Sequence, residues 1–287
     1  PNTIYWAELQ PDGGGLSLHA APLEVGPLVQ EHLWHKKQTV ILTSATLRTD
    51  ETFEFIRNRL SAEDVDEVVV DSPFDYENNT LLYIVNDIPE PGQRDAYQRS
   101  VEQGLLNLCR ATQGRTMVLF TSYAQLRQTA NAISDALARD GIVVFDQSDG
   151  SSRSQLLEGF VETEKAVLMG TRSFWEGVDV PGADLSVLVI VRLPFSVPSD
   201  PLFAARSERF DSPFDQYAVP ETILRFRQGF GRLIRRKDDR GVVVIMDRRV
   251  ISKPYGHLFL SSLPQCTVYR GRLDELPRVA VKWLDRE

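Results

Sequence analysis

Cysteine is nearly absent. Cys109 and Cys266 are the only two in 287 residues, and they are far apart. That count excludes a disulfide framework and a thiolate metal site; two buried thiols in a reducing cytoplasm is the expected state, with a single disulfide the minor alternative. Histidine is also sparse. His19, His32, His35 and His257 show no ligand spacing, so no metal is assigned to this chain. No apolar run approaches the roughly 18 residues that a membrane span needs. The start, Pro1-Asn2-Thr3-Ile4-Tyr5-Trp6, has neither the basic region nor the apolar core of a signal peptide, so the expected location is cytoplasmic. An initiator methionine is missing too, which hints at a processed or excised piece. Nor is there a Gly-x-x-x-x-Gly-Lys-Ser/Thr phosphate loop: Gly13–Gly15 lacks the lysine and the flanking strand and helix. Positive charge is in deficit, at a net −8, which argues against nonspecific nucleic-acid binding by the whole surface. The deficit is uneven, however. Arg225 to Lys253 is strongly basic and Glu51 to Glu77 acid-rich, and local sign governs a groove that holds a phosphate backbone.

What is present is enough for a sizeable core. The apolar fraction is ordinary, and the length suits one large domain or two of about 150 residues. Short β-branched runs alternate with helical patterns. The runs are Thr39–Thr43, Glu67–Asp71, Leu81–Asn86, Thr116–Thr121, Ile142–Asp146, Ala166–Gly170, Ser186–Arg192 and Gly241–Met246. Several are almost continuously apolar, as strands buried on both faces should be. Helices are predicted at Glu51–Leu60, Asp95–Ala111, Tyr123–Asp140, Arg153–Phe160 and Glu221–Arg235. Ser122 with Gln125, and Ser152 with Gln155, read as capping boxes, and Gly141 sits where a left-handed C-cap belongs. The alternation predicts an α/β fold, a mostly parallel sheet with helices on both faces. Asp12–Gly15 reads as a turn, and Pro194 to Pro220 as a long, weakly periodic connection. Residues 1–60 look too short and irregular for a core of their own. They read as the trailing edge of one domain, with residues 61–287 forming the compact one.

The most informative stretch is Arg225-Phe226-Arg227-Gln228-Gly229-Phe230-Gly231-Arg232-Leu233-Ile234-Arg235. Read as a helix, it places Gln228, Arg232 and Arg235 at i, i+4 and i+7 on one face. Two guanidiniums beside a glutamine suit the bidentate recognition of phosphate. Each glycine inside that helix costs about 1 kcal/mol, a cost tolerated where something must approach the backbone closely. Polar small-residue clusters also follow three of the predicted strands, at Thr43–Thr46, Thr121–Tyr123 and Gly170–Asp179. In an open parallel sheet, ligands collect at those carboxyl ends.

These segments resemble helicase motifs. Thr43–Leu47 is similar to motif III, Val118–Tyr123 to motif IV, Gly170–Asp179 with Val180-Pro181-Gly182 to motif V, and Gln228–Arg235 to motif VI. The wording of Ser173-Phe174-Trp175-Glu176-Gly177-Val178-Asp179, of motif VI, and of Asp247-Arg248-Arg249 with Tyr255-Gly256 resembles the DinG/XPD group of superfamily 2 helicases. The likeness runs from about Val40 to Leu263. The family's phosphate loop, its Asp-Glu-Ala-His box and the four cysteines that hold an iron–sulfur cluster in many members have no counterpart here. In the family all three precede motif III. The resemblance therefore implies the second RecA-like domain, residues 61–287, with a remnant of the first in residues 1–60.

Roles carried over by the resemblance are expectations. Arg232 and Arg235 would reach across an interdomain cleft to the β- and γ-phosphates of ATP, whose nucleotide and Mg2+ are held mostly by the other domain. Gln228 would hydrogen-bond at the same cleft, and Gly231 would adjoin the nucleotide there. Gly177 and Asp179 would touch nucleotide; Glu176 either orients an arginine or stands as a plain surface carboxylate. Single-stranded DNA would contact Thr121, Ser122, Thr171, Arg172 and Ser173 through its phosphates and Tyr123 through its bases. Phe174 and Trp175 either stack on bases or belong to the core, and Arg248 and Arg249 either join the basic track or lie solvated. The implied protein is a monomeric 5′→3′ DNA helicase of repair or replication, inactive as this fragment alone. The alternatives are a non-catalytic module that docks a partner or a strand and, last, a receiver- or flavodoxin-like domain, which leaves the arginine stretch unexplained.

Overall fold

The computed structural model describes residues 2–9, 15–49, 52–175 and 185–285. In chain order the elements are β1 (Thr3–Leu9), β2 (Leu16–Pro22), α1 (Gly26–Val29), α2 (Glu54–Leu60), α3 (Tyr76–Asn79), β3 (Thr80–Val85), α4 (Arg94–Ala111), β4 (Thr116–Leu119), α5 (Tyr123–Arg139), β5 (Val143–Asp146), α6 (Arg153–Glu162), β6 (Ala166–Gly170), α7 (Arg172–Trp175), β7 (Val187–Ile190), α8 (Pro201–Ser207), α9 (Val219–Phe230), β8 (Gly241–Ile245), α10 (Arg249–Ser252), α11 (Gly256–Ser261), β9 (Thr267–Gly271) and α12 (Leu276–Leu284). They fall into two units, Pro1–Val70 with Phe195–Leu224, and Asp71–Pro194 with Arg225–Glu287.

The second unit is built on a seven-stranded sheet in the order β5-β6-β4-β7-β8-β3-β9. Every pairing is parallel. All carboxyl ends of the strands therefore lie along one edge. Strands β3, β4, β6, β7 and β8 are buried along their whole length, because helices cover both faces. One face is filled by Tyr83, Val118, Val167, Val189 and Val244. Against them pack Val101, Leu105 and Leu108 of α4, Leu126 and Ile133 of α5, and Ala280 and Trp283 of α12. Helix α5 starts where Ser122 accepts the N–H of Gln125 and stops before Gly141, whose φ is +75°. The reciprocal half of its predicted capping box is not made: Gln125 donates through Nε2 to Gln98, and its Oε1 meets no partner among the described residues. At α6 the Ser152–Gln155 box is complete.

The first unit holds the antiparallel β1–β2 hairpin, with Trp6 stacked on His19 at 4.9 Å. Arg206 of α8 donates to the carbonyls of Pro22 and Leu23. Within this unit the strand expectation fails twice. Thr39–Thr43 and Glu67–Asp71 are not strands, and Ile41, Val68 and Val70 are 83%, 74% and 83% exposed. A β-branched run makes a strand only where another strand pairs with it. The stretch from Pro194 to Pro220 is also more regular than a bare connection, since it holds α8 and a π-helical turn at Phe214–Ala218. The turn expected at Asp12–Gly15 falls largely outside the described residues.

Helix α9 ends at Phe230, five residues short of the expected Arg235. The last α-type bond runs from Gly231 N–H to the Arg227 carbonyl. Tighter bonds follow, from Arg232 to Gly229 and from Leu233 to Phe230, and the chain then unwinds. Burial drives this. Leu233 and Ile234 are both 2% exposed, and Leu233 lies against Gly241, where a Cβ would come within 2.7 Å of its side chain. Gln228, Arg232 and Arg235 therefore do not share one helical face.

Candidate functional site

The carboxyl edge of the sheet gathers two of the three polar clusters; Thr43–Thr46 follows no strand and belongs to the first unit. Strands β5, β6 and β4 are neighbours, so the residues that follow them are neighbours too. After β4, Thr121 and Tyr123 are exposed and Ser122 is spent in part as the cap of α5. After β6, Arg172 and Ser173 are exposed and Thr171 is half-buried. The turn after β5 is built by Asp146, whose carboxylate accepts the backbone N–H and hydroxyl of Ser148, and it closes at Gly150, where φ is +84°.

Gln147 sits in that turn and ties the cluster together. Its Oε1 accepts both the backbone N–H of Thr171, at 2.6 Å, and the Thr171 hydroxyl, at 2.7 Å. Its Nε2 donates to Ser173 Oγ at 2.9 Å. The Tyr123 hydroxyl donates to its backbone carbonyl at 3.4 Å. The sequence reading missed Gln147. The available signal was its position one residue past a strand of a parallel sheet, on the edge where ligands collect.

The aromatic pair of motif V belongs to the core. Phe174 is fully buried and Trp175 is 3% exposed, its indole N–H donating to the Phe120 carbonyl. Gly170 and Gly229 make room for them: a Cβ at Gly170 would fall 2.4 Å from Phe174, and one at Gly229 2.7 Å from Trp175. What approaches the backbone at Gly229 is thus an indole ring of the same unit. At Gly231 the nearest atom to such a Cβ is 3.4 Å away, an ordinary contact.

The arginine segment is held to this loop. Arg232 donates through Nε and Nη2, at 3.2 and 3.0 Å, to the carbonyl of Trp175, the last residue of α7. Three residues on, the buried carboxylate of Asp239 accepts the backbone N–H groups of Arg235 and Arg236, both at 2.7 Å, which fixes the unwound stretch. The charge of Arg235 is felt by the Tyr76 phenol, although burial dominates there and raises its pKa. Gln228 is half-buried on α9. Glu176, Gly177 and Asp179 lie outside the described residues.

Farther along the edge, after β7 and β8, Asp247 is fully buried. It accepts the Leu193 N–H and pairs through two oxygens with Arg249. Arg249 is therefore an internal partner and not part of an exposed basic track; Arg248 remains exposed. Among the described residues, no group of His, Cys, Asp and Glu could hold a metal ion, and no helix is long and apolar enough to cross a membrane. Both cysteines are free thiols; Cys109 is buried as expected, and Cys266 is half-buried.

The helicase C-terminal domain family matches residues 105–266. The chain belongs to that family. As a helicase C-terminal domain it is 38% identical over 268 residues to the ATP-dependent DNA helicase YoaA of Escherichia coli, covering 92% of this chain and 41% of that protein. It is 36% identical over 275 residues to the 3′-5′ exonuclease DinG of Bacillus subtilis, covering 92% and 29%. An ATP-dependent helicase DinG of Mycobacterium tuberculosis is 34% identical over 278 residues, covering 92% and 41%. The chain thus spans between 29% and 41% of the length of these relatives. Among solved structures, an XPD helicase superposes with a TM-score of 0.68 at 19% identity, covering 88% of this chain and 46% of that one. Xpd4 of S. tokodaii superposes at 0.60 and 20%, covering 88% and 49%. The helicase C-terminal domain here is RecA-like, as the DinG/XPD resemblance implied.

Proposed function

We propose that this chain is the C-terminal motor domain of an ATP-dependent DNA helicase. Residues 61–287 are the second RecA-like domain, and residues 1–60 a remnant of the first. The exposed β-branched run at 39–43, which pairs with no strand among the described residues, favours this division, because such a run belongs to a sheet whose other strands lie elsewhere in the protein. ATP, with its magnesium ion, is held mainly by that other domain. Arg232 and Arg235 donate to its phosphates and stabilise the charge that develops there; Gln228, Gly231, Glu176, Gly177 and Asp179 line the same side. Thr121, Ser122, Tyr123, Thr171, Arg172 and Ser173 take single-stranded DNA along the carboxyl edge of the sheet. ATP binding closes the two domains, hydrolysis releases them, and the cycle moves the strand in the 5′→3′ sense, in repair or replication. The protein works as a cytoplasmic monomer. An iron–sulfur cluster, if the whole protein has one, belongs to the other domain.

One observation carries the reading: the two-point bond from Arg232 to the Trp175 carbonyl joins the arginine segment to the loop whose first residues face the strand edge. A change at the nucleotide is thereby passed to the strand through the four residues of α7. The test is strand-stimulated ATP hydrolysis by the intact protein. Arg232→Ala should lower turnover by about 10³-fold or more, the usual worth of an arginine finger, and leave strand binding largely intact. The pure chain alone should hydrolyse no ATP above background. Normal turnover in Arg232→Ala removes that residue from its role, and strand binding without hydrolysis by the intact wild type leaves the non-catalytic module.

A further inference from the structure

We infer that Gln147 is a positioning residue for the strand, one that decides which hydroxyl of the motif V loop donates to a phosphate. The inference rests on the proposed strand-binding edge. Its starting point is a donor that cannot be reversed. The backbone N–H of Thr171 points at the Gln147 side-chain amide at 2.6 Å, so the atom it meets must be the amide oxygen. That oxygen only accepts, so the Thr171 hydroxyl, 2.7 Å away, must donate to it. The nitrogen of the same amide then faces Ser173 Oγ at 2.9 Å and only donates, so Ser173 must accept.

The consequence is a division of labour between two hydroxyls that sequence treats alike. Thr171 has both of its protons committed to Gln147. Ser173 has its oxygen occupied from one side, and its hydroxyl proton meets no acceptor among the described residues. Ser173 is also exposed, beside the exposed Arg172. Gln147 thus turns the Ser173 hydroxyl outward as a donor, next to a guanidinium, at the edge where the phosphate backbone is to run. The Tyr123 hydroxyl on the Gln147 carbonyl links the same turn to the residues after β4. The turn that carries Gln147 is shaped by the Asp146 carboxylate, which accepts the Ser148 N–H, and by Gly150 after it.

The experiment is a double-mutant cycle on the intact protein. It is read by the dissociation constant for a fluorescent oligothymidine and by the DNA concentration that half-saturates ATP hydrolysis. Gln147→Ala and Ser173→Ala should each weaken strand binding by about 3- to 10-fold, the worth of one hydrogen bond, and the double variant should be no weaker than either. Gln147→Glu keeps an acceptor for Thr171 but makes Ser173 donate inward, so it too should bind more weakly. Thermal midpoints close to wild type show that the loop is folded in each variant. Additive losses mean that Gln147 does not act through Ser173 and overturn the inference. So does unchanged or tighter binding by Gln147→Ala; tighter binding would make its amide a stand-in that phosphate displaces. Absence of strand binding by the wild type defeats the functional reading, and this inference with it.

Discussion

Gly229 shows two local effects of opposite sign at one residue. Replacing it with alanine gains about 1 kcal/mol of helix propensity. The new methyl, however, would lie 2.7 Å from the Trp175 ring, whose indole N–H is tethered to Phe120. Overpacking of this kind costs about 1–3 kcal/mol, so the clash wins. Gly229→Ala should lower the denaturant midpoint, whereas Gly231→Ala, with ordinary contacts only, should change stability by no more than about 0.5 kcal/mol. A second contrast lies within one tripeptide. Arg249→Ala strands the fully buried Asp247 carboxylate and should cost about 3 kcal/mol, since removing one partner of a buried pair leaves an uncompensated charge. Arg248→Ala, at an exposed side chain, should be close to neutral in the same urea titration.

Among the elements, the runs at 39–43 and 67–71 behave differently from the strands of the sheet. They carry strand-forming side chains, yet among the described residues they lack a ladder. Their amide protons should exchange within seconds to minutes in this chain by itself, while those of β4, β7 and β8 are protected up to the global unfolding free energy. Joined to the rest of the proposed first domain, the run at 39–43 should become protected. Fast exchange at 39–43 in the intact protein would show that no sheet receives it. Helix α9 carries the complementary lesson. Its periodicity continues past Phe230, but the demand of Leu233 for a buried site ends it there.

For the whole molecule, alkaline pH is the informative variable. Burial pushes the Cys109 thiol up from 9.0 to about 12, and it raises the phenols of Tyr97 and Tyr83 as well. Each group is protonated in the folded state at a pH where the unfolded chain has released its proton. The unfolded state then binds fewer protons, so stability falls as pH rises. The thermal midpoint should be insensitive to these groups below pH 9 and should decline between 9 and 12. Cys109→Ala should flatten the first part of that decline, between the thiol's ordinary 9.0 and the phenols' 10.0. A midpoint that rises above pH 9 would contradict the burial assigned to these groups.

The amino-acid sequence by itself determined the strands buried on both faces and the helices between them, because continuous apolar runs and helix caps are properties of neighbours along the chain. It also carried the family, through the wording around Ser173 and Gln228. Strands β1, β2 and β9 were not legible: they lie partly exposed, and mixed polar sequences such as Thr267–Gly271 become strands only when a partner supplies the hydrogen bonds. Tertiary structure alone decided that Gln147 meets Thr171 across 24 residues, that Trp175 fills the space over Gly229, and that Arg232 holds the Trp175 carbonyl across 57. These are contacts between elements, set by strand order and by the competition of side chains for one buried volume, and no period or motif along a single segment contains them.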